Sequence, residues 1–398
     1  MSKRTIVALP GDGIGKTVLD EAIRVLDAAG VEADYVEGDI GWEFWCSEGN
    51  PLPQRTLDLL AEYKVGLFGA ITSKPKDEAF DELSSELKEK NLVYSSPIVG
   101  LRQHFGLDIC LRPCRTYTGN PLNFIKRGLG DSIDEPEVDV AIFRQNTEGL
   151  YGGVEWSNPP KQVYDALMTH PRFVKNFGKT PVDEISVSTR IFTKNATERI
   201  LRAAFEHAKK YGYKSVTVCE KPNVIRETSG MMYKMAQQIQ KTDFPEIELW
   251  NTNIDAQMMW LTKNPENYGV IVAGNMFGDI VSDGFAGLIG GLGFACSAQY
   301  NPETGIGVFE PTHGSAPKYA DYPVSIVNPI AMIESACMML DFIDEQNIAK
   351  RIRKAVAEIV SEGKVKTYDM GKMTGRADVV EKGAASTTQM ADAIIAKL

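Results

Sequence analysis

Two aspartates four residues apart, Asp279 and Asp283, stand in Gly274-Asn275-Met276-Phe277-Gly278-Asp279-Ile280-Val281-Ser282-Asp283. On a helix this spacing sets both carboxylates on one face. Like charges placed so repel unless a cation lies between them, and Mg²⁺ and Mn²⁺ take hard oxygen ligands of this kind. A solvated pair near a helix N-terminus, where acids are favoured, has the same spacing. The apolar, glycine-rich sequence that follows, Gly287-Leu288-Ile289-Gly290-Gly291-Leu292-Gly293, predicts an interior position. Buried carboxylates need a partner.

Other residues able to do chemistry lie far away in the chain. Arg102, Arg112, Arg115 and Arg144 form a dense set. Arginine pairs bidentately with carboxylates and keeps its charge, so several converging arginines suit a substrate with two or three carboxylates. Taken singly, each is more often a surface salt-bridge partner. Leu111-Arg112-Pro113 and Phe143-Arg144-Gln145-Asn146 read as strand ends, where the ligand sites of α/β sheets lie. Lys221, after the strand-like Val216–Glu220, and Tyr151 are side chains that move protons once their surroundings shift them. Either alone is more often structural. His313 stands among small residues in Glu310-Pro311-Thr312-His313-Gly314-Ser315-Ala316-Pro317-Lys318-Tyr319, where backbone can approach a ligand closely. Pro10-Gly11-Asp12-Gly13-Ile14-Gly15-Lys16-Thr17 resembles a phosphate loop but fits neither the P-loop nor the dinucleotide spacing. It reads as a tight strand-to-helix turn.

Elements that could position these groups alternate along the chain, which predicts an α/β architecture. Residues 5–9, 65–68, 138–143, 215–219 and 269–273 are strand-like. Val18, Leu19, Ala22, Ile23 and Leu26 follow helical spacing up to Gly30. Ile200, Leu201, Ala204, Phe205 and Ala208 mark a helix over 195–211, with further helices near 227–241 and 255–263. Residues 157–183 hold Pro159, Pro160, Pro171 and Pro181 without a clear period, and read as an excursion, either a loop or an interface arm. The 398 residues exceed one ordinary core, so two domains are expected. A net charge of −10 disfavours nucleic acid or an anionic membrane as the main partner. The six cysteines form no C-x-x-C pair, and no secretory leader or membrane span is evident, so a cytoplasmic setting is expected.

In chain order, Leu9-Pro10-Gly11-Asp12-Gly13-Ile14-Gly15, Leu111-Arg112-Pro113, Phe143 to Tyr151, Lys221-Pro222-Asn223, Asn275 to Asp283 and His313-Gly314-Ser315-Ala316-Pro317 together resemble the β-decarboxylating dehydrogenases. That family holds isocitrate, 3-isopropylmalate, homoisocitrate and tartrate dehydrogenases. The segments around Asp108–Pro113 and Tyr151–Trp156 look most like bacterial isocitrate dehydrogenases.

The resemblance implies a two-domain, non-Rossmann α/β fold of the isocitrate/isopropylmalate dehydrogenase type. Residues 1–107 and 290–398 would form a large, cofactor-side domain, and 108–148 with 194–289 a small one. Residues 149–193 would form a clasp-like excursion between the subunits of a homodimer whose active sites are shared. The implied reaction oxidises a 2-hydroxy acid with NAD(P)⁺ and releases CO₂. Arg102, Arg112 and Arg144 would hold the malate-like part of a tricarboxylate substrate. Asp279, Asp283 and, from across the dimer, Asp255 would hold Mg²⁺ or Mn²⁺. Lys221 would take the hydroxyl proton and Tyr151 protonate the enolate carbon.

Ser96 matches the serine that binds isocitrate's third carboxylate. Ile98 replaces an asparagine of isocitrate dehydrogenases, a departure that homoisocitrate or 3-isopropylmalate would also suit. His313, Gly314, Ser315, Ala316 and Asn328 match cofactor contacts. Lys318, Tyr319, Tyr368 and Lys372 stand where NADP-linked members meet the 2′-phosphate, so NADP is favoured over NAD.

Overall fold

The computed structural model describes residues 3–128 and 134–398. Met1, Ser2 and residues 129–133 lie outside it, and with them small parts of the two expected domains. The strands are β1 (Arg4–Gly11), β2 (Ala33–Glu37), β3 (Val65–Ala70), β4 (Ile109–Arg115), β5 (Asp139–Gln145), β6 (Glu155–Ser157), β7 (Ser186–Ser188), β8 (Ser215–Glu220), β9 (Glu248–Asn253), β10 (Val270–Ala273), β11 (Cys296–Asn301) and β12 (Ile306–Pro311). Ten of them make one mixed sheet in the order β2-β1-β3-β12-β11-β4-β5-β10-β8-β9.

This order joins two parallel blocks of opposite direction. β2, β1, β3 and β12 run parallel, as do β5, β10, β8 and β9. Between them β11 and β4 pair antiparallel with each other and with their outer neighbours. Parallel blocks need helices on both faces, so their strands read as continuous apolar runs. Val65–Ala70 and Val270–Ala273 are buried at every position.

Helical spacing marks the covering layers correctly. The helix Lys194–Tyr211 buries Ile200, Leu201, Ala204, Phe205 and Ala208, against Phe143, Val216, Val218 and Val272 of the sheet. Each large aliphatic or aromatic side chain so buried contributes roughly 1.5–3 kcal/mol. Thr193 caps this helix by accepting from Ala196 N at 3.3 Å, and Gly212 ends it at φ 78°. On the other block the helices Gly15–Ala28, Ile330–Phe342, Gln346–Glu362 and Thr387–Ile395 share one core. Here the two ends of the chain meet: Thr388 Oγ1 donates to Glu21 at 2.6 Å and Arg24 to Asp392 at 2.7 Å.

Residues 149–193 are more ordered than a loop. They hold the helices Lys161–Met168 and Pro171–Phe177 and a two-stranded sheet of β6 and β7. Neither helix buries a residue, although Val163, Tyr164 and Leu167 in the first and Phe173, Val174 and Phe177 in the second follow helical spacing. All six cysteines are free thiols. Among the described residues, no helix is long and apolar enough to cross a membrane.

Candidate active site

The site grows from the alternation of side chains along the central strands. β4 sets Cys110 opposite Arg144 and Arg112 opposite Ile142. Its other edge sets Cys110 opposite Gln299. With a period of two, Cys110, Arg112, Arg144 and Gln299 share one face, while Ile109, Leu111 and Pro113 share the other. Arg112 therefore stands within β4 rather than at its end, whereas Arg144 is next to last in β5. The same parity removes Arg115 from the cluster: it turns away and pairs with Asp139 at 2.8 Å.

The helix Asn275–Ile289 lies over this face. Gly278 lets it come close, since a Cβ there would stand 2.8 Å from Arg144 Cβ. Its first turn is held from below. Glu220, fully buried at the end of β8, accepts from Gly274 N at 2.8 Å, from Ser229 Oγ at 2.5 Å and from Arg190 Nη2 at 2.8 Å. Removing one partner of so buried a pair costs about 3–5 kcal/mol.

Held in this way, the helix brings its aspartates to the arginines. One Arg112 nitrogen reaches Asp279 Oδ1 at 3.2 Å, Asp283 Oδ1 at 3.0 Å and Ser282 Oγ at 2.8 Å. Arg144 also donates to Asp279 Oδ1, and its Nε donates to Asn275 Oδ1 at 2.9 Å. The Tyr151 hydroxyl lies 3.4 Å from Asp279 Oδ2, and its ring centre 5.7 Å from the Arg144 guanidinium. Burial, with the Asp279 charge next, raises the Tyr151 phenol above its ordinary value. The aspartates are less buried than their sequence context suggests, Asp283 being 60% exposed along its side chain. Phe277, Val281 and Phe285 of this helix are buried, whereas its carboxylates are partly exposed.

A second polar group adjoins the first. Arg102, on the helix Pro97–Phe105, donates from Nε to Gln299 Oε1 at 2.5 Å and stands 3.5 Å from Glu310. Ser96 is the N-cap residue of this helix, and its hydroxyl is not spent on a capping bond. Ile98, two residues on, is 8% exposed and packs in the core with Leu9, Phe68 and Leu101. Lys221 and Asp255 form their own ion pair, separate from the hydrogen bonds that join Arg112, Arg144 and Asp279. Among the described residues, no three acidic, histidine or cysteine side chains converge in a metal-holding group.

The residues expected on the cofactor side fall in two groups, of which the first, around Ser315, adjoins the turn after β1. Ile14 N donates to Ser315 O at 2.9 Å, and Thr72 and Ser315 share a hydroxyl contact of 2.6 Å. The turn is structural. Asp12 accepts from Trp42 N at 2.6 Å and Thr72 N at 2.8 Å, and Gly11, at φ 67°, would set a Cβ 1.8 Å from Ala70 O. Tyr319 and Tyr368 lie with ring centres 5.6 Å apart, and Lys318 stands beside Tyr319. Lys372 is exposed on the turn after Asp369, whose backbone O accepts from Lys372 N at 2.9 Å. Asn328 is spent on the scaffold, bonding Ile330 N at 3.0 Å and Asp369 at 3.2 Å.

Two observations bear on what these groups could hold. The Arg112 guanidinium sits between the Asp279 and Asp283 carboxylates and neutralises them, so this hard-oxygen pair would be free to hold a divalent cation once Arg112 turns to another anion. Across the turn, His313 Nε2 is buried without a partner. At Gly314 a Cβ would meet only Ile71 O, 3.8 Å away, leaving the backbone open to a ligand. Both features suit a dinucleotide. Motif reading passed over Gln299, Glu220 and Glu310. Only the sheet register reveals Gln299. The charges of Glu220 and Glu310 at strand ends were a readable signal.

Comparison with known proteins adds to this geometry. The family described as isocitrate/isopropylmalate dehydrogenase matches residues 5–394. Protein DlpA of Legionella pneumophila is 38% identical over 392 residues, and the alignment covers 98% of this chain but 58% of DlpA, so the chain spans little more than half that protein's length. A 3-isopropylmalate dehydrogenase of Archaeoglobus fulgidus is 36% identical, covering 92% of this chain and 94% of its own. Among solved structures, an isocitrate dehydrogenase from Methylococcus capsulatus superposes with a TM-score of 0.79 at 32% identity, covering 99% of both chains.

Proposed function

The chain belongs to the isocitrate/isopropylmalate dehydrogenase family of β-decarboxylating oxidoreductases, and on that premise we propose that it converts isocitrate to 2-oxoglutarate and CO₂ with NADP⁺ and a divalent metal. The observation that carries the reading is Arg112 and Arg144 set against Asp279 and Asp283 on one face of the sheet. Arginines there would clamp the substrate carboxylates, and the aspartates would hold Mg²⁺ or Mn²⁺. When bound, the metal supplies Lewis-acid stabilisation of developing negative charge.

In this reading Lys221 would accept the hydroxyl proton, and a bound nicotinamide would supply the acceptor for the hydride from C2. The β-carboxylate then departs as CO₂, and Tyr151 returns a proton to the carbon it leaves. Ser96 favours the tricarboxylate. Its hydroxyl and the first amides of its helix would meet a third carboxylate at the positive end of the helix dipole. Ile98, turned into the core, takes little part in the choice.

Lys221 and Asp255 stand apart from Asp279, and the reading assigns them to the cleft of a second copy of the chain. Trp250, Met259, Trp260 and Ile280, on adjoining elements, are between 37% and 45% exposed, which supports a homodimer through that side. The excursion 149–193 would clasp the two subunits. The two sheet blocks would act as the domains divided near residues 107 and 290.

A second reading keeps the reaction and changes the acid. Val93 and Val99, 67% and 38% exposed on either side of Ser96, offer apolar contact to homoisocitrate or 3-isopropylmalate. Absorbance of reduced nicotinamide decides between them, with D-isocitrate, Mg²⁺ and NADP⁺ in one cuvette and NAD⁺ in another. Fast reduction of NADP⁺ supports the first reading. Turnover only with the other two acids overturns it in favour of the second.

A further inference from the structure

We infer that Gln299 is a positioning residue that sets how Arg102 is presented to the substrate, an inference that rests on the reading of Arg102 as a substrate ligand. Gln299 is fully buried, yet lies on the site face of the sheet. Its amide orientation is fixed by three partners. Oε1 accepts from Arg102 Nε at 2.5 Å and from Asn146 Nδ2 at 2.9 Å, and Nε2 donates to Glu310 Oε1. A flipped amide would set its NH₂ against two donors and its oxygen against a carboxylate.

The consequence falls on the arginine. A guanidinium can meet a carboxylate side-on, through Nε and one terminal nitrogen, or end-on, through both terminal nitrogens. Gln299 takes Nε, so Arg102 offers only its terminal fork. Glu310 stands 3.5 Å from one of those nitrogens and orients the end of the side chain. These partners come from β12, from the residue after β5 and from the helix Pro97–Phe105. Gln299 thus ties Arg102 to both blocks of the sheet.

Gln299→Met keeps the volume and removes every polar contact. The expected result is a KM for the hydroxy acid raised ten- to hundredfold, with kcat within about threefold and the KM for the nicotinamide cofactor unchanged. Gln299→Glu supplies the signature of a positioning role. It keeps an acceptor for Arg102 and Asn146 but sets a second carboxylate against Glu310, and two acids so placed share a proton. The charged groups facing that pair are Arg102 from its helix, Arg112 from β4 and Arg144 from β5. This variant should bind substrate better as pH falls, with a steeper dependence than the native protein or Gln299→Met shows.

A double-mutant cycle separates the inference from the reading beneath it. With Arg102→Met in place, Gln299→Met should raise KM no further. If Arg102→Met leaves KM unchanged, the reading of Arg102 is overturned and the inference with it. If Arg102→Met raises KM but Gln299→Met does not, or the two effects multiply, the inference alone is overturned.

Discussion

Gly278→Ala should cost activity far more than stability. The added Cβ would stand 2.8 Å from Arg144 Cβ, 2.9 Å from its Cγ and 3.1 Å from its Cα. Carbon atoms rest at about 3.5 Å or more, so the helix Asn275–Ile289 must retreat from β5 by roughly 0.7 Å. Arg144 cannot yield instead, because the atoms met include its Cα and Cβ, fixed in β5 between β4 and β10.

Overpacking of this kind costs about 1–3 kcal/mol. Alanine returns up to about 1 kcal/mol by stiffening the helix relative to glycine. The net loss is roughly 0–2 kcal/mol, which leaves the protein folded. Asp279 is the next residue and moves with the helix, and a misplacement near 1 Å costs on the order of 100-fold in rate. The assay is metal-dependent nicotinamide reduction beside a thermal melt. Gly287→Ala on the same helix is the control, since a Cβ there meets nothing within 4 Å. It should keep its rate and gain a few tenths of a kcal/mol or more. A Gly278→Ala enzyme within threefold of the native rate would refute the claim that this close approach positions the aspartates.

Lys221→Met should lower kcat by about 10²–10⁴, the usual worth of a positioned proton acceptor, while substrate with metal still raises the melting temperature; a near-native rate would remove Lys221 from the chemistry. Lys318→Asp should raise the KM for NADP⁺ about tenfold or more and leave that for NAD⁺ nearly unchanged, because a carboxylate there repels a 2′-phosphate; an unaltered ratio of the two would place the phosphate elsewhere. His207, packed against Phe143 and Tyr213, is pushed down to about 4 by burial. Its unfolded form takes up a proton near pH 6.5, so stability is full above that pH and falls as pH drops toward 4. His207→Phe should flatten the stability–pH curve in that window, and denaturation midpoints at pH 7 and pH 5 would show whether it does.

Much of the scaffold was legible because burial imposes a period. The helix read over 195–211, found at Lys194–Tyr211, was evident from five apolar residues, all of which are buried. The strands Val65–Ala70 and Val270–Ala273 showed themselves as apolar runs at 65–68 and 269–273. The helices Lys161–Met168 and Pro171–Phe177 carry only short apolar spacings, Val163, Tyr164 and Leu167 and then Phe173, Val174 and Phe177, which Pro159, Pro160, Pro171 and Pro181 interrupt.

Within the site, the residue types of Asp279, Asp283, Arg112 and Arg144 were evident, and their meeting was implied only by the family resemblance. It depends on a register between β4, β5 and the helix above them, which no local pattern encodes. Parity alone separates Arg112 from Arg115, and strand length alone places Arg112 inside β4. Gln299 sits in the mixed polar run Cys296-Ser297-Ala298-Gln299-Tyr300-Asn301, where nothing distinguishes a buried amide from an exposed one until the partner strand is known.

The antiparallel seam of β11 and β4 also bears on the order in which the molecule is made. Cys110 and Gln299 meet across roughly 190 positions of chain, and closing a loop of that length gives no reward until most of the sheet exists. The block of β5, β8, β9 and β10 is drawn from one continuous stretch and can collapse early, whereas the seam must wait for β11. During synthesis Arg102 leaves the ribosome long before Gln299 and Glu310, the groups that hold it. In refolding, far-ultraviolet signal should therefore return ahead of enzymatic activity, with the substrate cleft among the last features of the fold to appear.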